Sequence, residues 1–379
     1  MWQSLHDAWW RLATQRHPHS FSDVLASYAL QTGSAAFRAI VALRNAAYDR
    51  GWAGSVALPC RVVSVGNLTV GGTGKTACVE LMARKLSAQG QRVAILSRGY
   101  GGSPVDHWLR WEQGRLLVNG EASTPLDGLA DEPQLLARHL EGVPVFIGRR
   151  RDRTGELACE QFGAQTVILD DGFQHRRLHR DCDIVLVHAE MPLDGWALLP
   201  RGPMREPLTS LKRAHIVILT KADEALPMLG ALSERLRTFA PEAVFVTASH
   251  EPTALVDPVS GAREAPSQLQ GRRVGLVSSI GDPSGFEATI RRLQGTVQWH
   301  LRHPDHHAYQ ASDWAAVAAQ VQRSQPELVL TTEKDWIRLE RWTRNGERGM
   351  VPLRVLAVQM TLLSGEKELD ARLVGLCAR

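Results

Sequence analysis

The sequence predicts an α/β protein built on a mostly parallel β-sheet. Between residues 60 and 250, apolar and β-branched runs such as 166–169 and 216–219 alternate with segments of helical periodicity. Continuous apolar runs of this kind are typical of strands that a parallel sheet buries on both faces. A second series of strands and helices begins at residue 273. With 379 residues, the chain has room for about two domains.

A glycine-rich segment, 69–76, lies between the first predicted strand, 61–66, and a helix. Glycines at such a turn allow successive backbone N–H groups to face a phosphate, and the helix N-terminus favours its negative charge. Lys75 is placed to reach the terminal phosphates and Thr76 to ligate Mg²⁺. Thr69 stands where the general phosphate-loop pattern has glycine. The residues predicted to bind the nucleotide here are Gly71, Gly72, Thr73, Gly74, Lys75 and Thr76.

These patterns divide the chain into a P-loop NTPase-like parallel-sheet domain, a second, smaller α/β lobe and N-terminal helices. We assign the helices to 1–50, the phosphate-loop domain to 51–250, a linker rich in Pro, Gly, Ser and charge to 251–272, and the C-terminal lobe to 273–379. The N-terminal segment carries tryptophans at helical spacing together with basic residues. Its pattern fits equally well a helix packed on the first domain and an anchor in a membrane interface.

Composition excludes several classes of protein. The chain is 44% hydrophobic and 22% charged, as ordinary globular proteins are. A net charge of +4 is too small to argue for a nucleic-acid partner. The five cysteines form no Cys-x-x-Cys pair, which argues against a zinc site and against a disulfide framework. No apolar run reaches the roughly 18 residues that a membrane span needs.

Acidic and basic side chains follow several predicted strands. Asp170 and Asp171 end a buried apolar strand, where a phosphate-loop enzyme holds Mg²⁺ directly or through water. Gln174 follows close behind. The basic cluster 149–151 lies at a strand end and a helix start, where the helix dipole disfavours cations, so it indicates anion binding.

Other motifs leave alternatives open. Arg205 and Glu206 are either a surface ion pair or a charge stabiliser and a metal neighbour. Asp131, judged alone, is best explained as a helix N-cap. The segment 304–307, Pro-Asp-His-His, fits a metal cluster or an acid–base group, and 332–335 has no evident role. The segment 220–223, Thr-Lys-Ala-Asp, is similar to the guanine-binding motif of GTPases, with Thr in place of Asn.

Taken together, the motifs resemble one family, the tetraacyldisaccharide 4′-kinases, which are lipid A 4′-kinases of Gram-negative bacteria. The motifs span nearly the whole chain: 64–67 with 71–76, 97–102, 131–133, 170–175, 199–202 with 205–207, 304–307 and 332–335. The displaced glycine at Thr69 is the family's own form of the loop. The segment 301–303, before Pro304, departs mildly from the family, which more usually has an aromatic residue there.

The resemblance implies transfer of the γ-phosphate of ATP to the 4′-hydroxyl of an acylated glucosamine disaccharide 1-phosphate, which forms lipid IVA. It implies a peripheral protein on the cytoplasmic face of the bacterial inner membrane, anchored through its N-terminal helices, and two lobes that close over ATP. It makes Asp131 the base for the 4′-hydroxyl and His306 its partner. It implies that Lys75 and Arg205 offset the charge of the γ-phosphate and that Arg151 binds a phosphate. The residues that it places around Mg²⁺ are Thr76, Asp170, Asp171 and Glu206, with Gln174 beside them.

Two other functions compete with this one. The first is a phosphate-loop GTPase that acts as a switch or metallochaperone, motivated by 220–223. The second is a soluble kinase for a small sugar, in which residues 1–50 are only structural.

Overall fold

The computed structural model describes residues 21–99, 106–122, 129–192, 194–343 and 351–377, and they form an α/β protein as predicted. The strands are β1 Arg61–Asn67, β2 Val93–Ser97, β3 His107–Glu112, β4 Arg115–Val118, β5 Glu121–Ala122, β6 Val145–Ile147, β7 Thr166–Asp170, β8 Cys182–His188, β9 Ile216–Thr220, β10 Val244–Val256, β11 Arg263–Glu264, β12 Arg273–Ser278, β13 Thr296–Arg302, β14 Leu328–Thr332 and β15 Leu353–Ser364. The helices are α1 Phe21–Asp49, α2 Lys75–Ala88, α3 Asp131–His139, α4 Arg151–Phe162, α5 Leu226–Arg237, α6 Pro283–Arg292, α7 Ala311–Ser324, α8 Glu333–Thr343 and α9 Glu366–Cys377.

The chain divides into two compact units. Unit 1 comprises the described parts of Met1–Gly128, Leu136–Ser249 and Met360–Arg379. Unit 2 comprises Leu129–Leu135 and the described parts of His250–Gln359. Helix α3 and strands β10 and β15 each contain residues of both units.

In unit 1 the strand order is β10-β9-β8-β1-β7-β2-β6-β3-β4-β5. Pairing is parallel from β10 to β6, and β3, β4 and β5 add an antiparallel edge. Strand β1 lies between β7 and β8, so its C-terminal end is the crevice where open α/β sheets bind ligands. The predicted hairpin at 107–118 is the β3–β4 pair.

The central strands of unit 1 are buried because their side chains are apolar on both faces. All residues of β2, β7 and β9 are buried. One core cluster includes Phe173, Leu198, Met204 and Leu211, so the loop after β8 packs into the same core as the sheet. This packing fixes the chain near the carboxyl ends of β1 and β7.

In unit 2 the order β13-β12-β14-β15 is parallel throughout. Strand β11 pairs antiparallel with the end of β10. A core of apolar residues, among them Phe286, Ile290 and Leu330, lies beside the sheet. The segment 251–272, expected to be a linker, instead holds the end of β10, strand β11 and a short 3-10 helix at Pro266–Leu269. Likewise, the described end of the expected C-terminal lobe, 360–377, belongs to unit 1.

Helix α1 is one continuous helix of 29 residues within the segment 1–50 that the sequence assigned to N-terminal helices. The predicted helix around Trp2 and Trp9 lies outside the described residues. Ser34, whose hydroxyl donates to the Leu198 carbonyl at 2.9 Å, and Val41 are buried on unit 1. Within the described part of the chain, no helix is long and apolar enough to cross a membrane.

We predict that Gly66→Ala destabilises the protein because β1 and Phe173, three residues after the end of β7, approach closely at this point. A Cβ atom at residue 66 would lie 2.6 Å from the Phe173 Cβ and 2.7 Å from its backbone nitrogen. Overpacking of this kind costs about 1–3 kcal/mol. Thermal and urea unfolding measure the loss. Gly54→Ala is the matched control, since nothing lies within 4 Å of its added Cβ. Equal stability of the two variants would contradict the prediction.

Candidate active site

The phosphate loop connects β1 to α2 in unit 1 with a backbone that only its glycines adopt readily. Gly71 has a φ of 104° and Gly74 a φ of 81°, both in the left-handed region. Gly74 is the N-cap of α2, so the loop ends at a helix N-terminus. The backbone N–H groups of the first turn of a helix have no acceptor within the helix and can bind an anion. Asn67, at the end of β1, donates from Nδ2 to the Thr73 hydroxyl at 2.8 Å.

The structure explains why Thr69 replaces the usual glycine. Thr69 is buried and forms a β-bridge with Met204. The Val70 N–H donates to the Pro203 carbonyl at 2.8 Å, and the Arg205 N–H donates to the Leu68 carbonyl at 2.7 Å. This first part of the loop is therefore extended and braced by the segment that ends at Arg205, a conformation that a β-branched residue favours.

Asp171, directly after β7, is surrounded by three cations. Its carboxylate oxygens lie 2.8 and 2.9 Å from Nη1 of Arg205 and 3.6 Å from the Lys75 Nζ. Arg151 donates from Nη1 to the Asp171 carbonyl at 3.1 Å. Burial raises the pKa of the Asp171 carboxyl, but the charges of Lys75 and Arg205 outweigh this effect and lower that pKa. The site thus holds an ionised carboxylate among excess positive charge.

The excess positive charge also contributes to the lowered pKa of a neighbouring histidine, His175. Burial, and then the charge of Arg151, lower the pKa of His175 to about 4. His175 is therefore neutral at pH 7. Such a positive potential, next to a glycine-rich helix N-terminus, suits a phosphate ligand.

The oxygen groups beside the loop have the chemistry of a magnesium site. Asp170 is buried, and its Oδ2 accepts from the Ser97 hydroxyl at 3.0 Å. Gln174 donates from Nε2 to the Asn67 carbonyl at 3.0 Å, whereas its Oε1 and the Asn67 Oδ1 are buried with no hydrogen-bond partner among the described residues. Thr76 occupies the first turn of α2. Carboxylate, amide and hydroxyl oxygens are the hard ligands that Mg²⁺ prefers, so these residues fit the ion.

Glu206, predicted to lie near the metal, takes part in a buried network with helix α1. Its carboxylate is fully buried and pairs with Arg44 at 2.9 Å and Arg213 at 3.0 Å, and it accepts from Asn45 at 2.9 Å. Burial raises its pKa, but these partners outweigh burial and lower it. Two guanidinium groups already neutralise the carboxylate, so it attaches helix α1 to the segment that carries Arg205. Sequence reasoning missed Arg44 and Asn45 because α1 is distant in the chain.

In unit 2, Asp131 and His306 come together as predicted. The Asp131 Oδ2 lies 3.7 Å from the His306 Nδ1 and 3.3 Å from the Arg338 Nε. Asp131 is the first residue of α3. His306 lies in the loop after β13 with a φ of 58°, a left-handed conformation that directs the half-exposed ring away from the regular path of the chain.

The motif 332–335, which had no role in the sequence, supports this pair. Asp335 is fully buried, and its Oδ1 accepts from the Ser279 hydroxyl at 2.7 Å and pairs with Arg338 at 3.2 Å. Lys334 lies 3.4 Å from the His306 Nε2 and 3.0 Å from Glu132. Sequence reasoning did not single out Arg338, and it gave Lys334 no role. The only available signal was a charged motif at a strand end.

Comparison with known proteins gives one family. The family model for tetraacyldisaccharide-1-P 4′-kinase matches residues 26–378. A tetraacyldisaccharide 4′-kinase of Anaeromyxobacter dehalogenans is 42% identical over 375 residues, which are 97% of this chain and 94% of that protein. A tetraacyldisaccharide 4′-kinase of Syntrophus aciditrophicus is 43% identical over 323 residues, 82% of this chain and 83% of that protein.

A solved structure agrees with these sequence relatives. The crystal structure of the "apo" form of LpxK from Aquifex aeolicus in complex with ATP superimposes with a TM-score of 0.71 and 29% sequence identity. The match covers 93% of this chain and 99% of that one.

We predict that Glu206→Gln lowers the free energy of unfolding by about 3 kcal/mol, because removing the charge of Glu206 leaves the largely buried Arg213 guanidinium uncompensated. Chemical denaturation measures the change. Glu190→Gln is the matched control, since Glu190 is exposed and pairs only loosely with His188 at 3.8 Å. A loss no larger than that of the control would contradict the support role of Glu206.

Proposed function

The chain belongs to the tetraacyldisaccharide 4′-kinase family, and from this premise we propose which of its residues carry out the transfer. The protein is an ATP-dependent kinase that moves the γ-phosphate of ATP to the 4′-hydroxyl of tetraacyldisaccharide 1-phosphate. The observation that carries the proposed mechanism is the approach of Asp131 to His306, at 3.7 Å. A carboxylate beside an imidazole is a proton acceptor suited to a sugar hydroxyl.

The donor nucleotide is held by the phosphate loop. Backbone N–H groups from Gly71 to Thr76 bind the phosphate oxygens, and Lys75 contacts the terminal phosphates. In the described structure Lys75 and Arg205 pair with Asp171, so the phosphates of ATP compete for cations that are already in position. Arg205 then offsets charge on the transferred phosphoryl group.

Mg²⁺ would be held by Thr76, Asp170 and Asp171, with the unpartnered Gln174 Oε1 available beside them. When bound, the ion neutralises phosphate charge. Arg151 fixes the Asp171 backbone through its bond to the carbonyl and adds positive charge for a phosphate. The Glu206 contacts support a different role, in which it holds the Arg205 segment against α1.

Asp131 accepts the proton of the 4′-hydroxyl as that oxygen attacks the γ-phosphorus. Arg338 and His306 hold the carboxylate in one orientation, and Asp335 in turn holds Arg338. The proton passes from the hydroxyl oxygen to an Asp131 oxygen, while the bond from the γ-phosphorus to the ADP leaving group breaks.

The competing functions lose support. In the segment 220–223, Thr220 is fully buried, and its hydroxyl donates to the Val187 carbonyl at 3.5 Å, so it is not directed at a guanine base. Family membership replaces the GTPase and small-sugar alternatives with the lipid kinase.

A face of helix α1 supports attachment to a membrane surface. Tyr28, Ile40 and Leu43 are 66%, 63% and 72% exposed. At about 100° per residue they share an arc of about 120°, opposite the buried Ser34 and Val41. An exposed apolar stripe of this kind inserts into a headgroup region. We assign the protein to the cytoplasmic face of the inner membrane, where it is peripheral and meets its acylated acceptor.

We predict that Asp131→Asn lowers kcat by about 10²–10⁴-fold, the usual contribution of a general base, while ATP binding persists. A radiolabelled-ATP assay with the disaccharide 1-phosphate in detergent measures turnover, and calorimetry measures ATP affinity. The control is Glu141→Gln, which removes an exposed carboxylate just after α3 and leaves the contacts of Asp131 and Lys334 in place. Normal turnover of Asp131→Asn, or an equal loss in both variants, would refute the base assignment.

We predict that the double change Ile40→Glu and Leu43→Glu weakens binding to anionic vesicles by at least about tenfold, since each buried side chain contributes about 1.5–3 kcal/mol. Vesicle flotation measures the bound fraction. Met228→Glu is the control, because Met228 is also exposed, at 54%, but lies on α5. Undiminished flotation of the double variant would rule out this face as the anchor.

A further inference from the structure

Unit 2 contains a cluster of three potential metal ligands that the kinase mechanism does not use. His303, His307 and Asp313 each offer one ligand atom, and these atoms lie within 4.8 Å of one another. The two imidazole rings are stacked, with centroids 4.6 Å apart and planes inclined by 13°. The Tyr309 ring packs edge-on against both imidazole rings, with centroids 5.2 Å apart, and bounds one side of the cluster.

Ordinary packing accounts for only part of this arrangement. Asp313 accepts from the Gln310 N–H at 2.8 Å as part of a capping box at the start of α7, and from the His307 Nε2 at 2.9 Å. The His303 Nε2, in contrast, is buried and has no hydrogen-bond partner among the described residues. A buried imidazole nitrogen without a partner is costly unless a ligand satisfies it.

The protonation states suit a cation. Burial, and then the neighbouring His307, lower the pKa of His303, so its ring is neutral at pH 7 and its lone pair is available. Burial raises the pKa of Asp313, but the Gln310 N–H and His307 outweigh burial and lower it, so the carboxyl is ionised. Two imidazoles and one carboxylate are typical of sites for Zn²⁺ and similar ions, with a fourth position left to water.

We propose that His303, His307 and Asp313 form a binding site for a borderline divalent transition cation such as Zn²⁺, distinct from the Mg²⁺ neighbourhood of unit 1. Ligands about 2.1 Å from a tetrahedral zinc lie roughly 3.4 Å apart, so the side chains close by about 1 Å around the ion. The ligands are histidine and aspartate side chains. The lack of Cys-x-x-Cys pairs in the sequence therefore does not argue against this site.

Binding has a structural consequence for the neighbouring loop. His303 and His307 lie on either side of His306, so a shared ion ties together both ends of the segment 303–307. The loop is already tight, since the His307 N–H donates to the Pro304 carbonyl at 3.0 Å. The bound ion therefore slows opening of this segment, a property that is measurable without any kinase assay.

The test is Zn²⁺ titration of the metal-stripped full chain by calorimetry, with excess Mg²⁺ and a non-hydrolysable ATP analogue present to fill unit 1. We expect one equivalent of Zn²⁺, and at least about 100-fold weaker binding by His303→Phe, since loss of even an outer partner costs 10- to 100-fold. Asp313→Asn keeps a capping acceptor and loses the negative ligand, so it weakens binding as well. It also serves as the second variant if His303→Phe misfolds.

His179→Phe is the matched control, because His179 is an exposed histidine of unit 1. It keeps wild-type Zn²⁺ affinity. Hydrogen exchange of residues 303–310 slows with Zn²⁺ in the wild type and in His179→Phe, but not in His303→Phe. The proposal is overturned if the wild type binds Zn²⁺ no more tightly than both cluster variants, if His179→Phe loses as much affinity, or if exchange is insensitive to Zn²⁺.

Discussion

The placement of Asp171 among Lys75, Arg151 and Arg205 is the interaction on which the donor site depends. Strand β7 runs parallel to β1, so Asp171, which directly follows β7, lies beside the end of β1, just before the phosphate loop. The left-handed backbone of Asp171, with a φ of 52°, turns the chain there. The Asp171 carboxylate thereby holds Lys75 and Arg205 in position, and the backbone carbonyl of Asp171 holds Arg151. Without this carboxylate, the side chains of Lys75 and Arg205 would no longer be held in order before the nucleotide binds.

The segment 203–206 connects the phosphate loop to the rest of unit 1. It braces the loop through backbone hydrogen bonds to Leu68 and Val70, and it ends in Glu206, which is buried against α1. Removing such a buried charge from water is expensive, and only the paired guanidinium groups compensate for it. Helix α1, which presents an exposed apolar face, is thus attached to the same segment that carries Arg205. In the function that we propose, membrane attachment and donor binding therefore share a structural support in unit 1.

In unit 2, the acid–base group that we propose rests on a buried carboxylate. Asp335 accepts hydrogen bonds from Ser279 and Tyr309 and pairs with Arg338, and Arg338 in turn contacts Asp131. The fully buried Asp335 thus fixes the side chain that orients the partly exposed Asp131, the residue that we propose as the base. The same loop that carries His306 holds the His303 and His307 rings, so a cation bound there acts on the mobility of a residue near the chemistry.

The sequence by itself determined the α/β class, most of the strands and helices, and the donor loop, because these depend on local periodicity and on glycine conformation. The segment 251–272, which has the composition of a linker, was the exception. The sequence also paired Asp131 with His306, but only through the family resemblance, since the residues alone indicated a helix cap. It gave no sign of the buried contacts of Glu206, because the partners Arg44 and Asn45 lie about 160 residues away in the chain. Only the tertiary structure decided such long-range electrostatic partnerships, the contacts of Arg338 with Asp131 and of Lys334 with His306, and the meeting of His303 with Asp313. Spacing along a chain carries no information on which distant charges share one buried environment.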